Sequence, residues 1–300
     1  MHKKSVSMEE RTFTEAPPRA SEFRRIVRVI LGRKVTLFGL VVILIAIIAA
    51  IFAPILVPYD PYLPDLDNVL LGSSSEHLLG TDTLGRDVLS RIIYGTQTSL
   101  LVGILCTGLA AALGMTLGLI AGYFGGVVGM FIMRFIDALM SFPIILLALA
   151  VCALLGGGLG NIIIALGISL MPIYARLMCG QVISVKENEY ILAEKAMGAS
   201  NLRIMVSHIL SNCFPPLIVL ITLMMGGAIL AEAGLSFLGV GIEPPAAAWG
   251  AMVADGYRYL MTNPLLSFAP GLAIMLVVFA FNMVGDGLRD ALDPRLRGLL

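Results

Sequence analysis

The residue types that carry catalysis or bind metals form no recognisable motif in this sequence. The three histidines are His2, His77 and His208. The sequence contains no H-E-x-x-H segment for a catalytic zinc ion and no G-x-S-x-G segment for a nucleophilic serine. It also lacks the G-x-x-x-x-G-K-S/T loop that cradles the phosphates of ATP. We therefore predict a chain that is not an enzyme, has no metal site and binds no cofactor itself.

The four cysteines also lack a pattern that would suggest chemistry. Cys106, Cys152, Cys179 and Cys213 lie in apolar surroundings without paired spacing. A free cysteine in such surroundings behaves as a small hydrophobic residue. We predict buried thiols rather than disulfides or metal ligands.

Charged residues inside apolar segments need a reason to be there. Glu232 interrupts the segment ILAEAG at 229–234, where an ionisable side chain is costly unless it faces protein or water. It can line a pathway and meet a peptide amino terminus or a metal cation, or it can serve as a hydrogen-bonding partner between helices. Arg134 and Asp137 are three residues apart, and this spacing favours an ion pair within one helix.

The composition identifies the environment of the chain. Hydrophobic residues make up 58% of the 300 residues and charged residues 13%, where a soluble domain carries about a quarter charged. Since backbone groups in lipid must be satisfied internally, long apolar segments of about 20 residues are expected to be helices. We predict an all-α, polytopic membrane protein with six transmembrane helices at 35–57, 98–122, 130–154, 161–183, 215–238 and 268–288.

The distribution of basic residues predicts the orientation. If the amino-terminal tail is cytoplasmic, all of the 20 Lys and Arg residues lie on the cytoplasmic side except Arg86, Arg91 and Arg258. Both termini are therefore expected in the cytoplasm. We interpret 1–34 as a basic, largely disordered tail, 58–97 as an outside segment, 98–288 as a five-helix core and 289–300 as a cytoplasmic end. The zero net charge gives no indication of a nucleic-acid partner.

Glycines at four-residue spacing on the second predicted span indicate close helix packing. These glycines are Gly114, Gly118, Gly122 and Gly126. On a helix they form one smooth ridge, which allows a neighbouring backbone to approach.

The polar segment 184–214, between the fourth and fifth spans, predicts a helical hairpin. Tyr190, Ala193 and Ala196 belong to its first part, which ends at Gly198; Ser200 then has the position of an N-cap. The second part has one apolar stripe at helical spacing, formed by Leu202, Met205, Val206, Ile209 and Leu210. Such a hairpin can dock into another protein, pack on its own helix ends or lie on lipid, and the pattern alone does not decide.

The hairpin sequence resembles the EAA loop of ABC importer permeases. That motif reads Glu-Ala-Ala, three residues, Gly, nine residues, Ile-x-Leu-Pro, and Ala193, Gly198 and Leu210 match it in register. The sequence departs from the motif at Leu192 and Glu194 of the first triplet, at His208 in the Ile position and at Ser211 in the Pro position. Three further stretches resemble the C-type permease of the oligopeptide, dipeptide and nickel branch: HLLGTDTLGRDVLSR at 77–91, LSFLGVG at 235–241 and FNMVGDGLRDALDPRLR at 281–297.

This resemblance implies the type I ABC importer permease fold and a set of partners. The partners are a second, related permease, two cytoplasmic ATPases that bind ATP and dock on the EAA loops, and a periplasmic or lipid-anchored substrate-binding protein. Gly198 would supply the bend, Ala193 and Ala196 would permit close approach, and the stripe would divide between an ATPase groove and the chain's own helix ends. The expected location is the bacterial inner membrane, in contact with lipid.

The resemblance leaves the cargo open. Peptides are the first expectation and nickel the alternative, because the branch handles both. A stand-alone secondary transporter or channel is the rival class, and the sparse intramembrane charge argues against it.

The outside segments carry charged and aromatic residues. Asp82 with Arg86, and Asp87 with Arg91, are four residues apart with the acid first, which predicts an interfacial helix with weak ion pairs. This helix can also serve as a platform for the binding protein or the second permease. Trp249 is expected to be an interfacial aromatic anchor.

Overall fold

Apolar segments of this length form helices, and the described part of the chain contains no β-strand. The computed structural model describes residues 22–242 and 244–292. Its helices are α1 (Glu22–Gly32), α2 (Lys34–Leu56), a 3₁₀ turn (Leu66–Asn68), α3 (Val88–Phe124), α4 (Gly126–Met140), α5 (Ile144–Leu155), α6 (Leu159–Lys186), α7 (Glu189–Ala196), α8 (Asn201–Arg203), a π-helical segment (Ile204–Leu210), α9 (Ser211–Phe237), α10 (Trp249–Tyr257) and α11 (Leu265–Leu292).

Five continuous helices in the described residues are long and apolar enough to cross a membrane, and a bent pair can supply a sixth span. The third predicted span, 130–154, is not one continuous helix: it is divided into α4 and α5, which meet at an angle of 92°. Pro143 precedes α5 and has no backbone N–H to extend a helix from α4. Ser141 Oγ instead donates to the Ala138 carbonyl (2.7 Å) at the end of α4.

The glycine ridge on α3 packs against α6, and the predicted close contact is present at three of its four residues. A Cβ atom added at Gly114 would lie 2.4 Å from the Met171 carbonyl oxygen, and one at Gly122 would lie 2.8 Å from Val182 Cβ. Gly126 is not part of this contact, because α3 has already ended and α4 begins there. Contacts advance together along both helices, so α3 and α6 run parallel.

Three more helices pack around this pair, each antiparallel to the one before it: α9 packs on α3, α11 packs on α9, and α2 packs on α11. A Cβ added at Gly226 of α9 would lie 3.2 Å from the Val278 carbonyl oxygen of α11, and one at Gly39 of α2 would lie 2.8 Å from the Ala280 carbonyl oxygen. Only 17% of the most apolar window of α2 is buried. A helix with so much apolar surface exposed fits a lipid environment rather than water.

The basic tail differs in part from the prediction. Residues 1–21, expected to be disordered, lie outside the described residues, as do 293–300. Residues 22–32 form α1, so the prediction of disorder through residue 34 was wrong for that part. The four cysteines are free and buried, which confirms their predicted state.

The prediction of an interfacial helix around Asp82 was wrong. Residues 82–85 form a turn, in which the Gly85 N–H donates to the Asp82 carbonyl (3.0 Å). The ion pair between Asp82 and Arg86 is present (2.7 Å) although the residues are not on a helix.

The predicted pair of Asp87 with Arg91 was also wrong. Asp87 caps α3 by accepting a hydrogen bond from the Ser90 N–H (2.7 Å), and its other oxygen lies 3.0 Å from His77 Nδ1. Arg91 is directed to Asp82 (3.4 Å) instead. A carboxylate at an N-cap is occupied by backbone N–H groups, which explains the exchange of partners.

Two other side-chain predictions were wrong. Asp137 forms its ion pair with Arg176 on α6, between two helices, rather than with Arg134 on its own helix. Trp249 is 2% exposed and donates to the Ile92 carbonyl (2.9 Å), so it is an internal residue of the bundle rather than an interfacial anchor.

Candidate functional site

The hairpin predicted from the sequence is present at one end of the bundle. We define the 189–210 hairpin as α7, the bend at 197–200, α8 and the π-helical segment. Gly198 has φ +83°, a left-handed conformation that glycine adopts without strain, and the Ser200 side chain accepts a hydrogen bond from the Arg203 N–H (3.4 Å). The predicted helix stop and N-cap are therefore confirmed.

The second arm of the hairpin continues directly into a membrane-spanning helix. Asn201–Phe237 forms one helical rod of 37 residues, which includes the π-helical segment and α9. Such π-helical segments are rare and often lie at functional sites. The sequence predicted a span at 215–238 and a separate amphipathic helix before it, but not their continuity.

The apolar stripe of the second arm divides into an inner and an outer set. Met205 and Ile209 are buried, and Leu210 is half-buried against the same cluster. Leu202 and Val206 are exposed, with 70% and 50% of their surface accessible. The inner set packs on α3, α6 and α9 through residues that include Leu119, Tyr123, Met178, Val182, Cys213 and Leu217.

The first arm also presents apolar surface. Ile191 is fully buried and anchors α7 to the same cluster. Tyr190, Ala193 and Ala196 are exposed, and Met197 at the bend has 74% of its surface accessible. The hairpin therefore has one anchored apolar face and one free face that exposes apolar residues.

A hydrogen bond joins the hairpin to the bundle, and polar side chains of its two arms approach each other. Glu194 Oε1 lies 3.6 Å from His208 Nε2, too far for a hydrogen bond. The hydroxyl of Tyr123, in the last turn of α3, donates to Asn201 Oδ1 (2.7 Å). Sequence reasoning missed Tyr123; its one signal was an aromatic residue at the end of a predicted span.

Glu232 is buried inside the bundle at 1% exposure. Ser236 Oγ donates to Glu232 Oε1 (2.6 Å), so this hydrogen bond lies within α9 rather than between helices. Ser236 Oγ also accepts a hydrogen bond from the Ile242 N–H (3.3 Å). Glu232 Oε2 has no hydrogen-bond partner among the described residues.

Residues 114–298, which include the whole hairpin, match the family described as the inner membrane component of binding-protein-dependent transport systems. This chain belongs to that family of ABC importer permeases. Residues 21–72 match the N-terminal transmembrane domain of oligopeptide transport permease C. An ABC importer permease is a non-catalytic membrane subunit that works with a partner permease, ATPase subunits and a binding protein, which agrees with the sequence prediction.

Curated relatives cover nearly the full length of the permease. The dipeptide transport system permease protein DppC of Alkalihalophilus pseudofirmus is 44% identical over 96% of this chain and 93% of its own length. The glutathione transport system permease protein GsiD of Escherichia coli is 43% identical over 85% of each. An inward-facing structure of the MetNI methionine ABC transporter is similar in fold, with a TM-score of 0.52 and 18% identity over 68% of this chain and 96% of that chain.

Proposed function

We propose that this permease imports peptides and that a cytoplasmic ATPase docks on the free face of its 189–210 hairpin. The observation that carries the proposal is the division of one helical stripe. Leu202 and Val206 are exposed, whereas Met205 and Ile209 on the same arm are buried in the bundle. A partner that binds the free face would therefore act on a segment that is anchored to, and continuous with, α9.

The charges support a cytoplasmic position for the hairpin and for both termini. Arg33 before α2 pairs with Asp290 near the end of α11, so these two helix ends lie together. In the antiparallel bundle they lie at the same end as the hairpin, which carries Lys195 and Arg203. Basic residues concentrate on the cytoplasmic side of membrane proteins.

An ATPase is a better occupant of the free face than lipid. The exposed apolar residues Leu202 and Val206 lie beside the exposed, charged Arg203. A mixed surface of this kind is typical of protein interfaces, where an apolar centre is surrounded by polar residues. ATP would be bound by that partner, and this chain would need no cofactor.

Peptides are the cargo that the relatives favour. DppC and GsiD carry names that refer to dipeptides and to glutathione, itself a small peptide. Nickel, the alternative, gains no support from these relatives. Within the pathway we assign Glu232 as a candidate contact, because one buried carboxylate oxygen has no partner in the described residues and can receive a donor from a peptide.

A binding experiment tests the docking site. Leu202→Glu and Val206→Glu place a charge on the free face, and Ser207→Glu, on an exposed residue of the same arm, is the matched control. We expect both free-face variants to weaken ATPase association by at least about tenfold, since a charge in an apolar contact is costly. The Ser207 variant should retain it. Normal ATPase association by Leu202→Glu and Val206→Glu would overturn the proposed docking site.

A further inference from the structure

The last turn of α3 is contacted by both arms of the hairpin through one side chain. The Tyr123 hydroxyl donates to Asn201 Oδ1 (2.7 Å) at the start of the second arm. The ammonium group of Lys195, in the first arm, lies 5.3 Å from the centroid of the Tyr123 ring. Tyr123 is 8% exposed, whereas Asn201 and Lys195 are exposed, so these contacts lie at the edge of the bundle. A cation over an aromatic ring and a hydrogen bond are both directional contacts.

A neighbouring contact closes the same site from α6. Lys186 Nζ, in the last turn of α6, donates to the Gly122 carbonyl (3.0 Å). This carbonyl belongs to the residue directly before Tyr123. Two consecutive residues of α3 therefore contact three other segments: the end of α6 and both arms of the hairpin.

The contact between α3 and α6 transmits a displacement of this end. A Cβ at Gly118 would lie 2.4 Å from the Ala175 carbonyl oxygen, and one at Gly122 would lie 2.9 Å from the Cys179 carbonyl oxygen. Helices in such close backbone contact cannot slide independently, because packed interiors resist small changes. A shift of the last turn of α3 would carry α6 with it.

The hairpin has a second connection to the bundle that does not involve α3. Its second arm is the start of the 37-residue rod that contains α9. Movement of the hairpin would therefore displace α9 directly, as part of the same rod. The pair of α3 and α6 would follow through the two-residue turn between α6 and the first arm, and through side-chain contacts. Among these, Tyr123 is the one that both arms contact by directional interactions.

We propose that Tyr123 is the positioning residue that makes α3 and α6 follow the hairpin, so that they move together with α9. This inference rests on the proposed function, because it assumes that an ATPase moves the hairpin. Tyr123 would not determine whether the ATPase binds; it would determine how much solute is transported for each ATP hydrolysed.

The test uses the complete transporter in vesicles, with the partner permease, the ATPases and the binding protein. Tyr123→Phe removes the hydroxyl and keeps the ring over which Lys195 lies. Asn201→Leu removes the acceptor, and Asn201→Asp keeps an acceptor oxygen as the matched control. We expect the peptide-to-ATP ratio to fall about fivefold in Tyr123→Phe and Asn201→Leu, the factor for one lost hydrogen bond. ATPase association should be unchanged, and Asn201→Asp should keep the ratio.

The double variant tests whether the two single variants act through the same hydrogen bond or through independent effects. Tyr123→Phe combined with Asn201→Leu should be no worse than either single variant, because both remove the same hydrogen bond. An unchanged ratio in Tyr123→Phe with normal ATPase binding would overturn the role of Tyr123 and leave the docking site standing. Loss of ATPase binding in Tyr123→Phe would also overturn it, since the residue would then act on docking. Failure of the docking site itself is recognised separately, by normal ATPase binding of Leu202→Glu.

Discussion

Gly118 of α3 lies directly against Ala175 of α6, with room for hydrogen but not for a methyl group: an added Cβ would be 2.4 Å from the Ala175 carbonyl oxygen. This contact repeats at each turn along the ridge. It fixes the two helices as one unit, against which the hairpin and α9 are anchored. The glycine spacing in the sequence predicted the contact but could not identify the partner helix.

Enlarging Gly118 should therefore separate α3 from α6. We expect Gly118→Val to destabilise the folded permease by about 1–3 kcal/mol, the usual cost of overpacking. Thermal unfolding of the purified permease in detergent measures it. Gly108→Ala, at a position of α3 where an added Cβ would meet nothing within 4 Å, is the control and should unfold at or slightly above the wild-type temperature, since alanine favours a helix. Equal melting temperatures for all three proteins would contradict the close packing.

Gly198 offers a test of the hairpin bend. At φ +83°, most side chains are strained by about 1–2 kcal/mol, whereas asparagine tolerates the conformation. Gly198→Val should loosen the bend and reduce co-purification of the ATPase. Gly198→Asn should retain most of it. If the two variants retain the ATPase equally well, the geometry of the bend is unimportant for docking.

Trp249 illustrates why some residues could not be placed from the sequence. Tryptophan near a predicted membrane boundary is typical of an interfacial anchor. The structure instead buries the ring beside Gly95, where an added Cβ would lie 2.9 Å from Trp249 Cδ1. This pairing joins residues 154 positions apart in the chain, and no local pattern reveals such a contact.

Replacing Trp249 with phenylalanine tests its internal position. The variant loses the hydrogen bond from Nε1 to the Ile92 carbonyl and part of the ring volume. We expect a loss of about 1 kcal/mol or more in stability, as for a buried hydrogen bond. Thermal unfolding in detergent is again the measurement. A variant as stable as wild type would favour an anchor at the membrane surface.

Local patterns correctly predicted five of the six spans as continuous helices, the helix stop at Gly198 and the cap at Ser200, because each depends on neighbouring residues only. Asp87 was placed in a helix with Arg91 because their spacing suits one. The structure uses Asp87 as the cap of α3, and His77 competes for its other oxygen. The choice between such partners depends on how the segment before α3 folds, and residue spacing carries no information about that.

Substitution of Glu232 tests whether this residue contacts the transported peptide or has only a structural role. Glu232→Gln keeps an oxygen that accepts from Ser236 and removes the charge. If the free oxygen receives a donor from the peptide, we expect unchanged thermal stability and peptide transport lower by about tenfold or more, as for a hydrogen bond to a charged group. Ser236→Ala is the comparison, because it removes the donor and leaves the carboxylate. Wild-type transport by Glu232→Gln would restrict Glu232 to a structural role.

The most direct test of the account is ATP-dependent peptide uptake by vesicles that hold this permease, its partner permease, the ATPases and the binding protein. We predict uptake with ATP in the complete assembly, none when the ATPases are omitted, and a loss of uptake on Leu202→Glu that Ser207→Glu does not reproduce. Peptide accumulation by vesicles that contain this chain alone, or undiminished uptake by the Leu202 variant, would contradict it.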